Sequence, residues 1–289
     1  MYRKFYYLTV SLLSFIVIIP VIGIISNFKF EFSNLYYFFN NNYNIKIIYI
    51  TFIQAFLSAF FSCLIAIPFS LSLYRHRNLK LIKFIISLCG YSFVLPPILI
   101  VYSVIGIYGI NGILNNLINY YELLNLHSIF GLKAILIAHI LLNAPFATRL
   151  IFQNLNTIPK NYFEISNSLN LGFWSNIIKL EWPILKQNIL AIFSIIFVLC
   201  FLSFAIVMAL GAGPSTSTIE VAIYQSALFE LNFQKAIILS FIQIIICLVF
   251  LILGFYKLKG SNFFLVQTNY FNHPFKNNLY VKLFDYCFI

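Results

Sequence analysis

"YFEISNSLNLGFWSNIIKLEWPIL", Tyr162–Leu185, is a short mixed segment set between two long apolar runs. It holds two acids, Glu164 and Glu181, and Pro183 stands near its end. The chain around it has 289 residues, of which 62% are hydrophobic and only 9% charged. No soluble domain buries that much apolar surface, so lipid must be the solvent for most of the chain. A polar stretch with turn residues inside such a chain marks a loop that leaves the bilayer. Which side it leaves on, and what it meets there, decides the reading of the whole sequence.

Six apolar stretches are long enough to cross a membrane, which takes about 20 helical residues. They fall at about 6–26, 47–74, 81–107, 129–155, 184–210 and 234–256. Pro68, Pro96-Pro97 and Gly211-Ala212-Gly213 lie in or beside the second, third and fifth. Such breakers are tolerated where neighbouring helices or a watery cavity satisfy the freed backbone groups. The basic residues set the orientation. With the N-terminus in the cytoplasm, 14 of the 18 Lys and Arg fall on the inside, and only Lys29, Lys46, Lys133 and Lys235 fall outside. Both termini are therefore expected in the cytoplasm of a multi-pass membrane protein, and the net charge of +11 is mainly a topology signal. Nucleic acid is not an expected partner, because the basic residues form no stripe beside aromatics. Arg3 and Lys4 precede the first apolar run, but it is too long for a secretory signal and lacks a small-residue cleavage site.

Cys63, Cys89, Cys200, Cys247 and Cys287 are scattered singly, with no CxxC and no Cys/His ligand set. They read as small apolar residues rather than a disulfide framework or a metal site. The excess of Ile, Phe, Asn, Lys and Tyr matches AT-rich codons, so "NNNYN" at 40–44 reads as loop filler. There is no phosphate-binding glycine loop, no nucleophile elbow and no HExxH. The chain is not expected to be an enzyme, and nucleotide chemistry would fall to another chain.

The loop at 156–183 lies on the basic side. Phe163, Ser166 and Asn170 share one face of a short helix, Gly172 permits a bend, and "FWSNIIKLEW" forms a second short helix. Pro183 suits the start of the next transmembrane helix, where a missing N–H costs nothing. Such a unit offers a soluble partner a rigid knob; the bland alternative is an interfacial connector.

This spacing resembles the cytoplasmic "EAA" loop of binding-protein-dependent ABC importer permeases. Glu164 takes the acidic position, Ile165 and Ser166 the two alanines, and Leu169 the leucine. Trp174 follows ten residues after the acid and Pro183 nineteen after. Asn170 stands where the family has glycine; asparagine is the next-best residue for a left-handed turn. Longer stretches, "FIQAFLSAFFSCLIAIPFSLSLYRHR" (52–77), "ILIAHILLNAPFATRLIFQNL" (135–155), "LEWPILKQNI" (180–189) and "FVLCFLSFAIVMALGAGPSTSTIEVAIYQSAL" (197–228), resemble the N-terminal half of thiamine ABC transporter permeases. Iron(III), sulfate and molybdate permeases share the fold and remain alternatives.

The resemblance implies an all-α, six-helix importer transmembrane domain over 1–260, with both termini inside and a cytoplasmic coupling-helix loop. Residues 261–289 would be a cytoplasmic tail and the approach to a second half. The protein would then be half of a split permease, a homodimer-forming half or a truncated remnant. The implied partners are an ATPase subunit, a periplasmic substrate-binding protein, a second six-helix half and the bilayer. No cofactor is expected on this chain; ATP and Mg would sit on the ATPase. A rival of another class is a non-transport membrane protein that kept the fold.

Deep polar residues in a membrane helix usually face the bundle interior. His139 and Asn143 in the fourth stretch, with Pro145 after them, line a pathway or hydrogen-bond between helices. Gln54 and Gln243 read as glue between helices. Arg149 is expected to snorkel to the cytoplasmic surface. Gly211, Gly213 and Pro214 form an outer turn, after which Glu220 and Tyr224 share a helical face. An acid beside a tyrosine can attract an aromatic cation such as thiamine; the alternative is a re-entrant helix that only packs.

Overall fold

The computed structural model describes residues 32–109, 111–120, 130–256, 273–275 and 279–288, with scattered positions between 7 and 23. Those scattered positions are helical, and the rest of the first expected span lies outside the described residues. Five helical segments among the described residues have the length and apolar character to cross a membrane: Asn42–Arg75, Pro97–Asn116, Leu132–Leu155, Phe173–Phe201 and Phe233–Phe255.

A short helix α1 (Phe32–Asn40) leads into the long α2 (Asn42–Arg75), whose first turn is capped by Asn41 accepting from the Tyr43 N–H at 2.9 Å. At 34 residues α2 is about 50 Å long, more than the ~30 Å hydrocarbon core. Its buried face is a run of small residues, Thr51, Ala55, Ser58, Ala59, Ser62 and Ala66, while Phe56, Phe60, Leu64 and Ile65 face outward. Large groups outside and small ones inside follow from lipid as solvent. Burying a large apolar chain gains little over leaving it in lipid, whereas small residues let helix backbones approach closely. Helix α6 (Leu132–Leu155) answers with Ala134, Ala138, Ala144, Ala147 and Thr148, and α2 against α6 forms the centre of the bundle.

The third expected span, 81–107, is not one helix. It is split into α3 (Lys80–Tyr91) and α4 (Pro97–Tyr108), with α5 (Ile113–Tyr120) beyond. The reason is local: proline disfavours the helical region for the residue before it, and two consecutive prolines force Leu95 and Pro96 out of it. Pro97 then opens α4 at the position where its missing N–H costs nothing.

The fifth expected span, 184–210, also differs. Beyond α7 (Lys160–Ser168), the chain enters α8 (Phe173–Asn176) and passes through a π-helical turn, Ile177–Glu181, into α9 (Trp182–Phe201) without a break. Pro183 therefore lies inside a continuous helical segment rather than starting one. Its ring would clash with the carbonyl four residues back in a regular helix. The preceding π turn relieves this by widening the ladder, with Trp182 N–H on the Ile177 carbonyl. At the other end the helix stops at Phe201, and α10 (Ala205–Leu210) is a separate piece. No proline or glycine marks that break.

Helix α11 (Ile219–Leu228) and the last long helix, α12 (Phe233–Phe255), complete the bundle. Phe197 and Phe250 stack with ring centres 3.8 Å apart, and Gly254 of α12 lies directly on Ser194 of α9. Helix α13 (Leu279–Phe288) packs back onto the end of α2.

Candidate functional site

The loop between α6 and α9 is a pinned pair of short helices. Helix α7 ends in a Schellman arrangement. The Leu171 N–H donates to the Ser166 carbonyl and the Asn170 N–H to the Asn167 carbonyl, both at 3.0 Å. The residue that turns the chain is Asn170, at φ 48°. Asparagine visits this left-handed region at low cost because its side chain can hydrogen-bond locally. Gly172, expected to supply the bend, instead has φ −69° and ψ 168°, an extended conformation open to any residue, and only precedes α8.

Phe163 and Ser166 turn inward, while Asn170 is exposed in the turn. Ser166 Oγ donates to Asn176 Oδ1 at 2.5 Å, and Asn176 Nδ2 donates to the Leu171 carbonyl at 3.4 Å. Asn176, unmarked by sequence reasoning, is thus the buried pin that joins α8 to α7. What remains outside is a set of large apolar side chains among polar ones (Asn161, Asn167, Ser168, Asn170), with one ion pair. Leu169 is 66% and Trp174 69% exposed, with Tyr162 and Ile165 beside them. Glu164 lies at the surface, paired with Lys160 one turn earlier at 2.9 Å. Rigid inside and with large apolar side chains exposed outside, the loop is shaped as a docking knob.

Just past the end of α2, the guanidinium of Arg77 lies 4.7 Å over the Tyr74 ring and donates to Asn156 Oδ1 at 3.0 Å. Burial lowers the Arg77 pKa, and Tyr74 pulls it back up. The ends of α2 and α6 are thereby tied together where the loop begins.

The expected pathway residues do not form one site. His139 and Asn143 are buried and line a cavity of about 250 Å³ between the α3–α4 break and the α9–α10 break, with Ser92, Ser203 and Phe204. His139 Nδ1 lies 3.1 Å from Ser58 Oγ, and Asn143 Nδ2 donates to Cys200 Sγ at 3.3 Å. Gln54 donates to the Cys200 carbonyl at 3.0 Å, so the helix end before the second break is held from two sides. Gly211, Gly213 and Pro214 line a different hollow of about 410 Å³, with Tyr43 and Gln225. Gly213 holds φ 89° there, which explains its glycine.

Glu220 and Tyr224 are partly buried on α11 but are engaged separately. Glu220 accepts from Gln243 Nε2 of α12 at 2.6 Å, and Tyr224 packs on Phe204 with ring centres 5.0 Å apart. Gln54 and Gln243 do act as glue between helices. Arg149 packs over Gly90 of α3, half-buried, instead of reaching freely to the surface.

Among solved structures, the chain is similar to a bacterial ABC transporter involved in the import of the acidic polysaccharide alginate. The TM-score is 0.75 at 15% identity, covering 90% of this chain and 96% of that one. The inward-facing MetNI methionine ABC transporter matches with a TM-score of 0.61 at 18% identity, over 75% of this chain and 95% of that one. The fold is that of an ABC importer transmembrane domain.

No protein-family profile matches the chain. By sequence the chain is a homologue of the thiamine transport system permease proteins. It is 35% identical over 237 residues to the one from Haemophilus influenzae, ThiP. That match takes in 82% of this chain but 44% of the relative, so the chain spans less than half the length of that relative.

Proposed function

We propose that this chain is a permease subunit of an ATP-driven importer in a bacterial inner membrane, with thiamine as the cargo. The observation that carries the reading is the loop Lys160–Glu181. Its two helices are locked to each other by Ser166 and Asn176 and present Tyr162, Ile165, Leu169 and Trp174 outward. A rigid knob with exposed apolar side chains on an otherwise lipid-covered chain suits a soluble partner, and the resemblance supports an ATPase subunit, which would hold ATP and Mg, as that partner. Homology at 35% identity to a thiamine transport system permease supports the cargo.

In this reading the chain performs no bond chemistry. It supplies two packings of a helix bundle with similar free energy, and the docked ATPase biases them through the loop. The breaks beside the His139 cavity and between α9 and α10 are natural points of bending, because backbone there is already free of the helical ladder. A second six-helix half would complete the pathway, and a periplasmic binding protein would deliver the cargo.

The test is binding-protein-dependent uptake of labelled thiamine in cells lacking this gene. Loss of uptake, restored by the gene, supports the cargo. Unchanged thiamine uptake with a fall in ferric iron or oxyanion uptake overturns the cargo and leaves the fold class standing.

A further inference from the structure

The segment that follows the last long helix carries the most heavily paired ionic cluster among the described residues. Asp285, on the inner face of α13, is fully buried. Its two carboxylate oxygens each accept from Arg75 Nε at 2.9 Å, Arg75 Nη2 adds a further bond, and His76 Nε2 donates at 3.1 Å. The His76 ring lies parallel to that of Tyr286 at 6.0 Å. Some residues earlier, His273 is buried and donates from Nε2 to Glu181 Oε1 at 3.1 Å. Its ring meets Phe163 of α7 at 5.1 Å, and Phe275 meets Phe173 of α8 at 5.8 Å.

These contacts reach four separate elements. Arg75 and His76 end α2, Phe163 and Phe173 belong to the two loop helices, and Glu181 closes the π turn. Arg75 links them further, since its guanidinium lies 5.4 Å over the Phe173 ring. A hollow of about 330 Å³ is walled by Pro68 and Leu71 of α2, Phe173 and Trp174 of α8, and Tyr280 and Phe284 of α13.

A buried charge without its partner is costly, so Asp285 and Arg75 must be paired together or exposed together. That makes docking of α13 an all-or-none event rather than a gradual one. We propose that residues 273–275 and helix α13 form a latch that holds the docking loop against the end of α2, anchored by Asp285 on Arg75 and His76 and by His273 on Glu181. The loop cannot shift relative to α2 without carrying the latch along or releasing it. The functional meaning rests on the importer reading, since there the loop is the part an ATPase moves; the docking of the segment does not.

The experiment uses inverted membrane vesicles carrying the full chain, with Cys287→Ser to remove the exposed native thiol. Ile177→Cys, at the start of the π turn, and Tyr280→Cys, both on the wall of the hollow, are bridged with a short bifunctional maleimide; the docking face keeps its native residues. A strong crosslink is expected. Asp285→Arg should lower the docked-to-undocked ratio by roughly two to four orders of magnitude, as removing one partner of a buried pair does, and abolish the crosslink. Arg75→Asp combined with Asp285→Arg should restore it, which a simple folding defect would not allow.

Absence of the crosslink in the parent, or its persistence in Asp285→Arg, overturns the latch. With the ATPase subunit bound, nucleotide should change the crosslink yield; an unchanged yield overturns latch release. Failure of any ATPase to bind overturns the importer reading instead, and the crosslink in the parent and exchanged variants then decides docking independently.

Discussion

Gly254 shows how tightly one position can be held. A Cβ there would sit 2.5 Å from the Cβ of Ser194 and 2.3 Å from its Oγ, so α9 and α12 would have to separate. Gly254→Ala should destabilise the bundle by about 1–3 kcal/mol, the usual cost of overpacking. Ser194→Gly in the same chain should recover most of the loss, read as thermal unfolding in detergent. Asn170 is the complementary case, where backbone conformation rather than space is limiting. At φ 48°, Asn170→Gly should be neutral or slightly stabilising, whereas Asn170→Val should cost about 1–2 kcal/mol. ATPase retention by the purified permease should follow the same order. The left-handed turn was legible in the sequence, because asparagine after a short helix announces it. The contact of Gly254 with Ser194 was not, because it joins helices far apart in the chain.

At the scale of elements, the docking loop separates inner support from outer contact. Ser166→Ala removes the bond to Asn176 and leaves a buried amide oxygen short of its donor, at a cost of about 1–3 kcal/mol. It should loosen the knob and lower substrate-stimulated ATP hydrolysis in reconstituted vesicles while leaving the bundle's unfolding temperature within a few degrees. Glu164→Lys should act differently. It faces outward beside Lys160, so the fold should tolerate it, but the wrong charge at the contact should weaken ATPase co-purification and uncouple hydrolysis from substrate. Unchanged retention and stimulation in that variant would make the loop a connector only. The loop's two helices and its turn could be read from local pattern. The continuity of α8 through the π turn into α9 could not, since Pro183 looks like a helix start and only the surrounding packing shows otherwise.

For the molecule as a whole, the docking loop, the end of α2, residues 273–275 and helix α13 meet at one end of the bundle. The Gly131–Leu210 backbone bond at 2.8 Å and the Thr51–Ile219 bond at 2.9 Å join elements well away from it along α2 and α6. With 14 of 18 basic residues on the loop side of the expected topology, that end should face the cytoplasm. Reporter fusions after Gly260 should behave as cytoplasmic and fusions near Asn125 as periplasmic; the reverse pattern would overturn this orientation.

Lipid as solvent, the long apolar runs and the docking loop were all determined by sequence alone. Each is a property of consecutive residues: span length, basic bias, or turn chemistry within one short segment. Helix interruption was half legible, since Pro96-Pro97 announces the first break and nothing announces the one after Phe201. Which face of each helix is buried carried little signal in hydrophobicity, because both faces of a membrane helix are apolar and only side-chain size distinguishes them. Only the tertiary structure paired Arg75 with Asp285, 210 residues away, and Glu181 with His273. A buried charge must find its opposite wherever the chain brings one, and no local pattern in a sequence records that meeting.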